Sequence, residues 1–318
     1  MRRLNFCDGD VLPVKLEHRS KWAKVFENIV RIKGVVRMHK TIAASVVCLG
    51  LIAQNPAMAD RAPRGYSLLQ SNPTHSFRYS QPGEPVRRGK LSERFEIRDG
   101  FCYGTDCARD RLRSEIRFPK NRDVSKIGQD SWFGWSFRVE SFSADLRKIG
   151  VYPFFGQWKT APENSPTLKL IMGGGGGSGS VYLSLGDMAR KNNNYVAGAK
   201  HGHVCKNMFT IDQAKRQWID IVINTNFSDK NDGYVNAWVN GRLACKYKGQ
   251  IVATKTAQDY RPNHRRGIYI GNMKRWRSAK GQAPLPSVVV YYDEFLMGKS
   301  REEVDTRLRE AAGLPAKD

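Results

Sequence analysis

The 318-residue sequence predicts an all-β protein, a jelly-roll (concanavalin A-like) sandwich of two antiparallel sheets with a short C-terminal helix. Two observations support this fold class. Short segments with period-two alternation, or rich in β-branched and aromatic residues, recur between turn residues, and only the C-terminal end has a helical pattern. The predicted strands are residues 94–97, 113–118, 131–139, 167–172, 180–185, 218–224, 234–239, 267–270 and 287–295.

A hairpin is predicted at residues 218–246, where isoleucines alternate with polar or smaller residues on the first strand. An acidic turn at 229–233 leads to the return strand at 234–239, and a second tight turn follows at 240–241. The acidic turn lacks the alternating oxygen ligands of an EF-hand calcium loop. We therefore interpret it as a plain turn.

Five glycines at residues 173–177 resemble a phosphate-binding loop only in composition. No Gly-Lys-Ser/Thr follows them and no helical pattern begins there, so we expect a flexible or closely packed loop between strands. At the C-terminal end, Ser300 and Glu303 have capping-box spacing, and Val304 and Leu308 fall on one helical face. This helix is expected to pack on the sandwich.

A secretory signal peptide is predicted at residues 38–59. A charged start, an apolar run at 41–53 and small residues before the cleavage site are its three parts. The apolar run is too short to span a bilayer. Residues 1–37 are basic and polar and would precede the signal, so we expect translation to begin at Met38. The mature chain is then one domain, 60–318, in the periplasm or outside the cell.

The chain is strongly basic, with a formal net charge of +23. Without residues 1–59 it retains 43 Lys and Arg against 26 Asp and Glu, a charge of +17. This charge favours nucleic acid, an anionic membrane surface or an acidic polymer as the partner. Export favours the acidic polymer, and no nucleic-acid-binding motif is present. A role in solubility or envelope attachment alone is the simpler alternative.

Four cysteines remain in the predicted mature chain, and an even number in an oxidising compartment predicts two disulfides. They are Cys102, Cys107, Cys205 and Cys245. Of the three pairings we favour Cys102 with Cys107, which closes a short loop, and Cys205 with Cys245. A zinc site is disfavoured because no C-x-x-C pair is present.

Three segments carry polar side chains at strand spacing, which places them on one face of a sheet. The three sets are Arg113, Glu115 and Arg117; Gln157 and Lys159; and Arg265 and Tyr269. We expect them to form the walls of an anion-binding groove. The simpler alternative is a solvated ladder of ion pairs with a packed tyrosine.

In their order along the chain these motifs resemble the jelly-roll polysaccharide lyases, which include alginate lyases, glucuronan lyases and heparin lyase I. Arg-Ser-Glu-Ile-Arg at 113–117 is similar to the Arg-Ser/Thr-Glu-Leu-Arg strand of alginate lyases. Gly-Gln-Trp-Lys at 156–159 and Ser-Pro-Thr-Leu at 165–168 resemble the Gln-Trp-His and Ser-Pro-Pro-Leu elements of the heparin-lyase-like group. Residues 265–269 resemble Lys-x-Gly-x-Tyr, and 290–295 resemble the final strand.

The resemblance implies β-elimination at a uronic acid. Arg113, Gln157 and Lys159 would neutralise the carboxylate as negative charge builds on it. Tyr269 would protonate the leaving glycosidic oxygen, and it could also act as the base if its phenol is deprotonated beside Arg265. The implied substrate-binding residues are Glu115, Arg117, Arg265, His201, His203 and Tyr292, with Glu115 holding the arginines in place.

This chain departs from the family at Lys159, where a histidine is common. Lysine is a poor base unless burial lowers its pKa. The base therefore stays open among Tyr269, His201 and His203. The two histidines are expected at the groove rim, although an exposed pair without a role fits equally well, and His264 is expected to flank the groove.

The implied function is an exported polysaccharide lyase that cleaves a uronic-acid-containing polymer, acting as a monomer without a redox or nucleotide cofactor. A structural calcium ion is compatible with the sequence, but no motif indicates it. Two alternatives remain on the same fold. A lectin-like protein would bind the polymer without cleaving it, and a glycoside hydrolase would need two carboxylates flanking the bond, for which no strand shows a pattern.

Overall fold

The computed structural model describes residues 61–70, 75–102, 104–118, 125–159, 166–173, 179–186, 202–253 and 261–317. These residues form one compact unit within Gln54–Asp318. The predicted signal peptide, the extension before it, His201 and most of the glycine run lie outside the described residues.

Two antiparallel sheets of seven strands each confirm the predicted sandwich. The first, here the groove sheet, has the spatial order β1 (Ser67–Gln70), β4 (Leu112–Arg117), β13 (Asn263–Ile270), β6 (Phe154–Lys159), β7 (Leu168–Met172), β8 (Ser180–Leu185) and β9 (Gly202–Thr210). The second, here the back sheet, has the order β12 (Arg242–Lys248), β11 (Tyr234–Val239), β10 (Ile219–Thr225), β5 (Ser131–Ser141), β14 (Val288–Gly298), β3 (Glu93–Ile97) and β2 (Phe77–Tyr79).

The core lies between the sheets and is built from alternate residues of their strands. Phe133, Trp135 and Phe137 of β5 are buried, and Phe133 meets Trp158 of β6 edge to face at 5.2 Å between ring centroids. Neighbouring residues of a strand point to opposite faces of the sheet, so the residues between these aromatics face away from the core. The same alternation on the groove sheet turns its polar side chains outward.

The list of predicted strands lacks five strands, β1, β2, β6, β9 and β12, and all of them except β6 are sheet edges. An edge strand pairs on one side only and buries less of its surface, so its apolar alternation is weak. Strand β12, for example, exposes five of its seven residues. Nine of the ten interior strands, which pair on both sides, were predicted from their pattern. The exception is β6, for which only the strand spacing of Gln157 and Lys159 was predicted.

Both predicted disulfides are present. Cys205 on β9 bonds to Cys245 on β12 across a sequence separation of 40 residues, and so joins an edge of the groove sheet to an edge of the back sheet. Cys102 bonds to Cys107 in a small loop. The acidic turn at 229–233 is a turn, in which Asp232 accepts a hydrogen bond from Ser228.

The expectation that only the C-terminal end is helical was wrong. Short helices occur at α1 (Thr105–Ala108), α2 (Ala144–Ile149), α3 (Ile211–Arg216), α4 (Met273–Lys280), α5 (Arg301–Val304) and α6 (Thr306–Ala311). Helices this short carry too few apolar residues for a detectable period. Local caps hold some of them, as at α3, where Thr210 and Gln213 form a capping box.

The predicted C-terminal helix is divided at Asp305, whose carboxylate accepts a hydrogen bond from the Arg307 amide and so caps α6. Val304 is buried on β5, where a Cβ at Gly134 would lie only 2.0 Å from the Val304 carbonyl oxygen. Leu308, expected on the buried face, is exposed, and α6 instead meets the sheet through buried Thr306, whose hydroxyl accepts a hydrogen bond from Ser136 of β5. Ser300 makes no side-chain cap, and that part of the prediction was also wrong.

In the described part of the chain, no helix has the length and apolar character needed to cross a membrane. Nor does any cluster of three or more His, Cys, Asp or Glu side chains occur there that could hold a metal ion.

Candidate active site

A groove of about 680 Å³ runs over the outer face of the groove sheet. Seven cationic side chains line it: Arg109, Arg111, Arg113, Lys159, Lys169, Arg265 and Arg275. Tyr152, Phe154, Gln157, Tyr269 and Asn272 also line it, and none of its described lining residues is an aspartate or glutamate. A groove of this composition attracts a polyanion.

Strand register brings the predicted site residues together. Tyr269 on β13 lies opposite Arg113 on β4 and Phe154 on β6, while Arg265 lies opposite Gln157. These five positions come from three strands that are distant in sequence and adjacent in the sheet. Lys159, two residues after Gln157, completes the set on the same face.

A β-bulge in β6 shapes the floor. Relative to β7, β6 has one extra residue between Phe154 and Gly156. The extra residue shifts the alternation by one, so Phe154 and Gln157 both line the groove although they are three residues apart. Trp158 then points into the core, where it is fully buried.

Glu115 lies beneath the groove, with 1% of its surface exposed. Its carboxylate accepts a hydrogen bond from Gln157 Nε2 at 2.5 Å and lies 3.6 Å from an Arg113 guanidinium nitrogen. Because Glu115 is buried beneath the groove, it holds these two side chains in place and does not face the substrate side itself. Opposite it stands Gly267 (φ +123°), where a Cβ would lie 2.2 Å from the Ser114 carbonyl oxygen, so a larger residue would push the strands apart.

Arg113 is held on its other side by Asp106, a residue that the sequence interpretation missed. Nε and Nη2 of Arg113 donate to the two carboxylate oxygens of Asp106 at 3.0 and 3.1 Å. The guanidinium carbon lies 5.0 Å from the centroid of the Tyr269 ring. Arg113 is therefore held between two carboxylates and an aromatic face, in an orientation with little freedom.

Lys159 and Tyr269 have pKa values displaced in opposite directions. Burial, reinforced by repulsion from Arg265 and Arg113, lowers the pKa of Lys159 to about 8. Burial raises the pKa of Tyr269, and the opposing effect of the nearby arginines is smaller. Near neutral pH the phenol thus keeps its proton, while the ammonium group loses its proton more readily than an ordinary lysine.

Two predicted residues belong to the core instead of the groove. Tyr292 is 1% exposed, and its hydroxyl donates to the carbonyl oxygens of Phe155 and Gly267. Its assignment as a substrate-binding residue was wrong, because it occupies the inward-facing position of β14. His264 is fully buried and stacked on Phe295 at 4.6 Å, so the expectation that it flanks the groove was also wrong.

Arg117 shares the outer face with Arg265, its neighbour across the β4–β13 pair, but it is not among the lining residues. The backbone of His203 pairs opposite Ser184, which in turn pairs opposite Lys169. The side chain of His203 lies outside the described residues, as does all of His201. Roles for Arg117 and for the two histidines in substrate binding stay predictions.

Several groove residues were missed. Arg109 and Arg111 continue the period-two series that ends at Arg117, and Lys169 alternates with buried leucines on β7, so a sequence signal existed for these three. Arg275 had none, because it reaches the groove from α4. Tyr152 likewise lies between elements, where strand periodicity gives no information.

Residues 65–296 match the sequence model of the polysaccharide lyase family. No curated protein sequence matches the chain. Among solved structures, the endo-β-1,4-glucuronan lyase of the fungus Trichoderma reesei has 16% identity and a TM-score of 0.56, over 78% of this chain and 96% of that one.

An alginate lyase A1-II′ structure has 10% identity and a TM-score of 0.49, over 74% of this chain and 95% of that one. The alginate lyase of Klebsiella pneumoniae has 13% identity and a TM-score of 0.40, over 66% and 82%. At such identities the glucuronan lyase structure indicates a shared fold and nothing more. The family match, which spans most of the chain, establishes more: the chain belongs to the polysaccharide lyase family and is a polysaccharide lyase.

Proposed function

We propose that this enzyme is exported and cleaves a uronic-acid-containing polysaccharide by β-elimination. One observation carries the proposal: seven cationic side chains line the groove and none of its described lining residues is acidic. A polymer with a carboxylate on its sugar residues is the polysaccharide that such a groove binds best. The name of the similar structure with a TM-score of 0.56, a glucuronan lyase, fits this class of substrate.

The reaction needs three groups. A base removes the proton on the carbon next to the carboxylate, and the electron pair of that bond forms a carbon–carbon double bond. The bond to the glycosidic oxygen breaks at the same time, and an acid protonates that oxygen. Negative charge builds up on the carboxylate in the transition state, so preorganised donors beside it lower the barrier.

Arg113 and Gln157 are the donors in this proposal. Arg113 offers a planar fork that suits a carboxylate, and an amide nitrogen has two N–H groups, of which the Gln157 amide gives one to Glu115. Since Glu115 and Asp106 hold both side chains in place, little reorganisation is needed as charge develops. Arg265, opposite Gln157, adds positive charge to the same row.

Tyr269 is the proposed acid and Lys159 the proposed base. The raised pKa of Tyr269 keeps a proton available for the leaving oxygen. With its pKa lowered to about 8, Lys159 is partly neutral at slightly alkaline pH and can accept a proton. In the alternative, Lys159 stays charged and neutralises the carboxylate, while Tyr269 serves as both base and acid.

The pH dependence of kcat/KM separates these two roles. If Lys159 is the base, kcat/KM rises as pH increases through about 8, because the neutral amine is the active form. If the ammonium ion is needed, kcat/KM falls over the same interval. The profile of Lys159→Met, which cannot titrate there, shows whether the transition belongs to Lys159.

The function itself is tested by product formation. Purified protein is incubated with polyglucuronate, alginate, heparin-type and bacterial acidic exopolysaccharides, and a neutral glucan is the control. Cleavage by β-elimination leaves an unsaturated sugar, so ultraviolet absorbance rises with an acidic polymer and not with the neutral glucan. Binding without any rise across the panel would instead support the lectin-like alternative.

A glycoside hydrolase is disfavoured, because it needs two carboxylates flanking the scissile bond. The described part of the groove lining contains none, and the nearby Glu115 is buried beneath Gln157. Under the lyase proposal, positive side chains supply the charge neutralisation. Dialysis against EDTA is therefore expected to leave the rate unchanged. We also propose that the enzyme acts as a monomer and uses no redox or nucleotide cofactor.

Export is supported by the signal-peptide pattern before Asp60 and by the two disulfides, which persist in oxidising compartments. Sequencing the N-terminus of the protein recovered from the periplasm or medium tests this. A mature terminus at Asp60 is expected, and a terminus upstream of Met38 would contradict the proposed start.

A further inference from the structure

The loop before β4 is closed by a disulfide and presents a carboxylate to Arg113. Cys102 and Cys107 are five residues apart, and Asp106 lies inside the ring they close. The backbone carbonyl of Asp106 accepts hydrogen bonds from the amides of Arg109 and Arg111, at 3.2 and 3.0 Å. The chain thus reverses around Asp106 before it enters β4.

The same loop is attached to α4, the helix that contributes Arg275 to the groove lining. The Asp110 carboxylate accepts a hydrogen bond from the Lys274 amide, in the first turn of α4, at 2.7 Å. Just before α4, a Cβ at Gly271 would lie 3.5 Å from the Tyr269 hydroxyl. The disulfide at one end and α4 at the other therefore restrict how far Asp106 can move.

Asp106 binds Arg113 in a bidentate manner, because each of its carboxylate oxygens accepts one N–H···O hydrogen bond from the guanidinium group. This geometry makes an arginine–carboxylate pair directional. Both side chains are 15% exposed, so water screens the pair only in part. The carboxylate of Glu115, on the other side of Arg113, lies 3.6 Å away, which is too long for a hydrogen bond.

We propose that Asp106, held in place by the Cys102–Cys107 disulfide, is a positioning residue that orients Arg113 over the Tyr269 ring. The inference rests on the proposed function, in which Arg113 and Tyr269 act on the substrate. Asp106 itself does not line the groove and works through the arginine. A rotated guanidinium would still attract the polymer but would no longer be aimed at the charge that develops in the transition state.

The first test compares Asp106→Asn with Asp106→Glu on the polyuronate that the enzyme cleaves best. Asparagine keeps the shape and loses the charge, and we expect kcat to fall about 10- to 100-fold, since small misplacements of catalytic groups have effects of this size. KM and the melting temperature should change little. Glutamate should restore part of kcat, and a purely structural role would instead lower the melting temperature and leave kcat of the folded fraction intact.

A double-mutant cycle with Arg113→Lys isolates the pair. If Asp106 acts through Arg113, the double variant should be no slower than Arg113→Lys alone. Additive losses in kcat would overturn the inference.

The role of the disulfide is tested by Cys102→Ala/Cys107→Ala, with Cys205→Ala/Cys245→Ala as the matched control. The first pair should reproduce the fall in kcat seen with Asp106→Asn. The control pair is remote from Arg113 and should lower the melting temperature without changing kcat below it. Full kcat in the first variant would show that the disulfide does not position Asp106.

The outcomes also separate this inference from the proposed function. An active wild type with an unchanged Asp106→Asn variant would refute the inference alone. A wild type that forms no product from any acidic polymer would refute the proposed function. In that case, the double-mutant cycle would use the affinity of each variant for polyglucuronate, measured by calorimetry, in place of kcat. Coupling between Asp106 and Arg113 in that affinity would support the inference, and additivity would end it.

Discussion

Two strands that follow one another in the chain, one in each sheet, carry almost the same five residues and have different surroundings. Residues 94–98, on and just after β3, read Arg-Phe-Glu-Ile-Arg, and residues 113–117 on β4 read Arg-Ser-Glu-Ile-Arg. In the back sheet, Glu96 accepts hydrogen bonds from both Arg94 and Arg98, so the segment is a local ladder of ion pairs.

On the groove sheet, Glu115 instead accepts from Gln157 of another strand, and Arg113 pairs with Asp106 of a loop. The comparison extends to the adjacent strands, since a tyrosine faces the first arginine in both sheets. Tyr269 lies opposite Arg113, and Tyr291 lies opposite Arg94. An Arg-x-Glu-x-Arg strand thus becomes a candidate site only where its partners come from elsewhere in the chain and a groove opens above it.

The largest expected difference between the two regions is at the tyrosines. Tyr269→Phe should lower kcat about 10²- to 10⁴-fold, the usual contribution of a general acid, while largely sparing binding. Tyr291→Phe removes the corresponding hydroxyl from the back sheet and should leave kcat unchanged. Steady-state kinetics on the best acidic polymer provide the measurement. Equal losses in the two variants would break the comparison.

The glutamates should come next. Glu115→Gln keeps the shape but removes the charge that orients Gln157 and faces Arg113, so kcat should fall about 10- to 100-fold. Glu96→Gln should lower the free energy of unfolding by about 1–3 kcal/mol, because hydrogen bonds to charged groups have this value, without altering kcat. Urea denaturation and kinetics on both variants test the contrast, which fails if Glu115→Gln affects stability alone.

Burial of the Lys159 ammonium group, together with repulsion from nearby arginines, should destabilise the fold. Its pKa is lowered from 10.5 to about 8, so below pH 8 the folded protein bears the cost of a charged, partly buried ammonium. Lys159→Met should therefore raise the free energy of unfolding by about 1–2 kcal/mol at pH 7, after allowance for screening by solvent.

That gain should shrink as pH rises from 8 towards 10.5, because only the unfolded chain then holds the proton on Lys159. Urea denaturation of wild type and Lys159→Met at pH 6, 7, 8, 9 and 10 measures it. A stability difference that stays constant over this range would show that the ammonium is not destabilised in the groove.

The smallest effects are expected at the last arginine of each segment. Arg98 is 48% exposed in its ion pair, so Arg98→Ala should change the free energy of unfolding by less than about 1 kcal/mol and leave kcat/KM unaffected. Arg117→Ala should lower kcat/KM about three- to tenfold at low salt by weakening attraction of the polymer. The effect should fade in 1 M salt, where charges are screened within about 3 Å. A salt-independent loss would indicate direct contact instead.

The candidate site divides into what strand periodicity could predict and what it could not. Alternation correctly turned Gln157, Lys159 and Tyr269 outward and buried Ile116. It could not show that Tyr292 faces inward, because both Tyr291 and Tyr292 are aromatic and alternation alone does not say which side of β14 meets the core. It could not find Asp106 either, since that residue comes from a helical turn in a disulfide loop.

By itself, the sequence determined the local properties of this protein: the all-β class, nine of the ten interior strands, the four cysteines that pair and the outward faces of the site strands. These depend on neighbours within a few residues, and a period of two records them. The tertiary structure decided the rest. Register across β4, β13 and β6 made one constellation of three separate segments, and the pKa of Lys159 depends on arginines more than 40 residues away in the chain. Interactions between residues far apart in sequence leave no local pattern, which is why two nearly identical five-residue segments have such different surroundings.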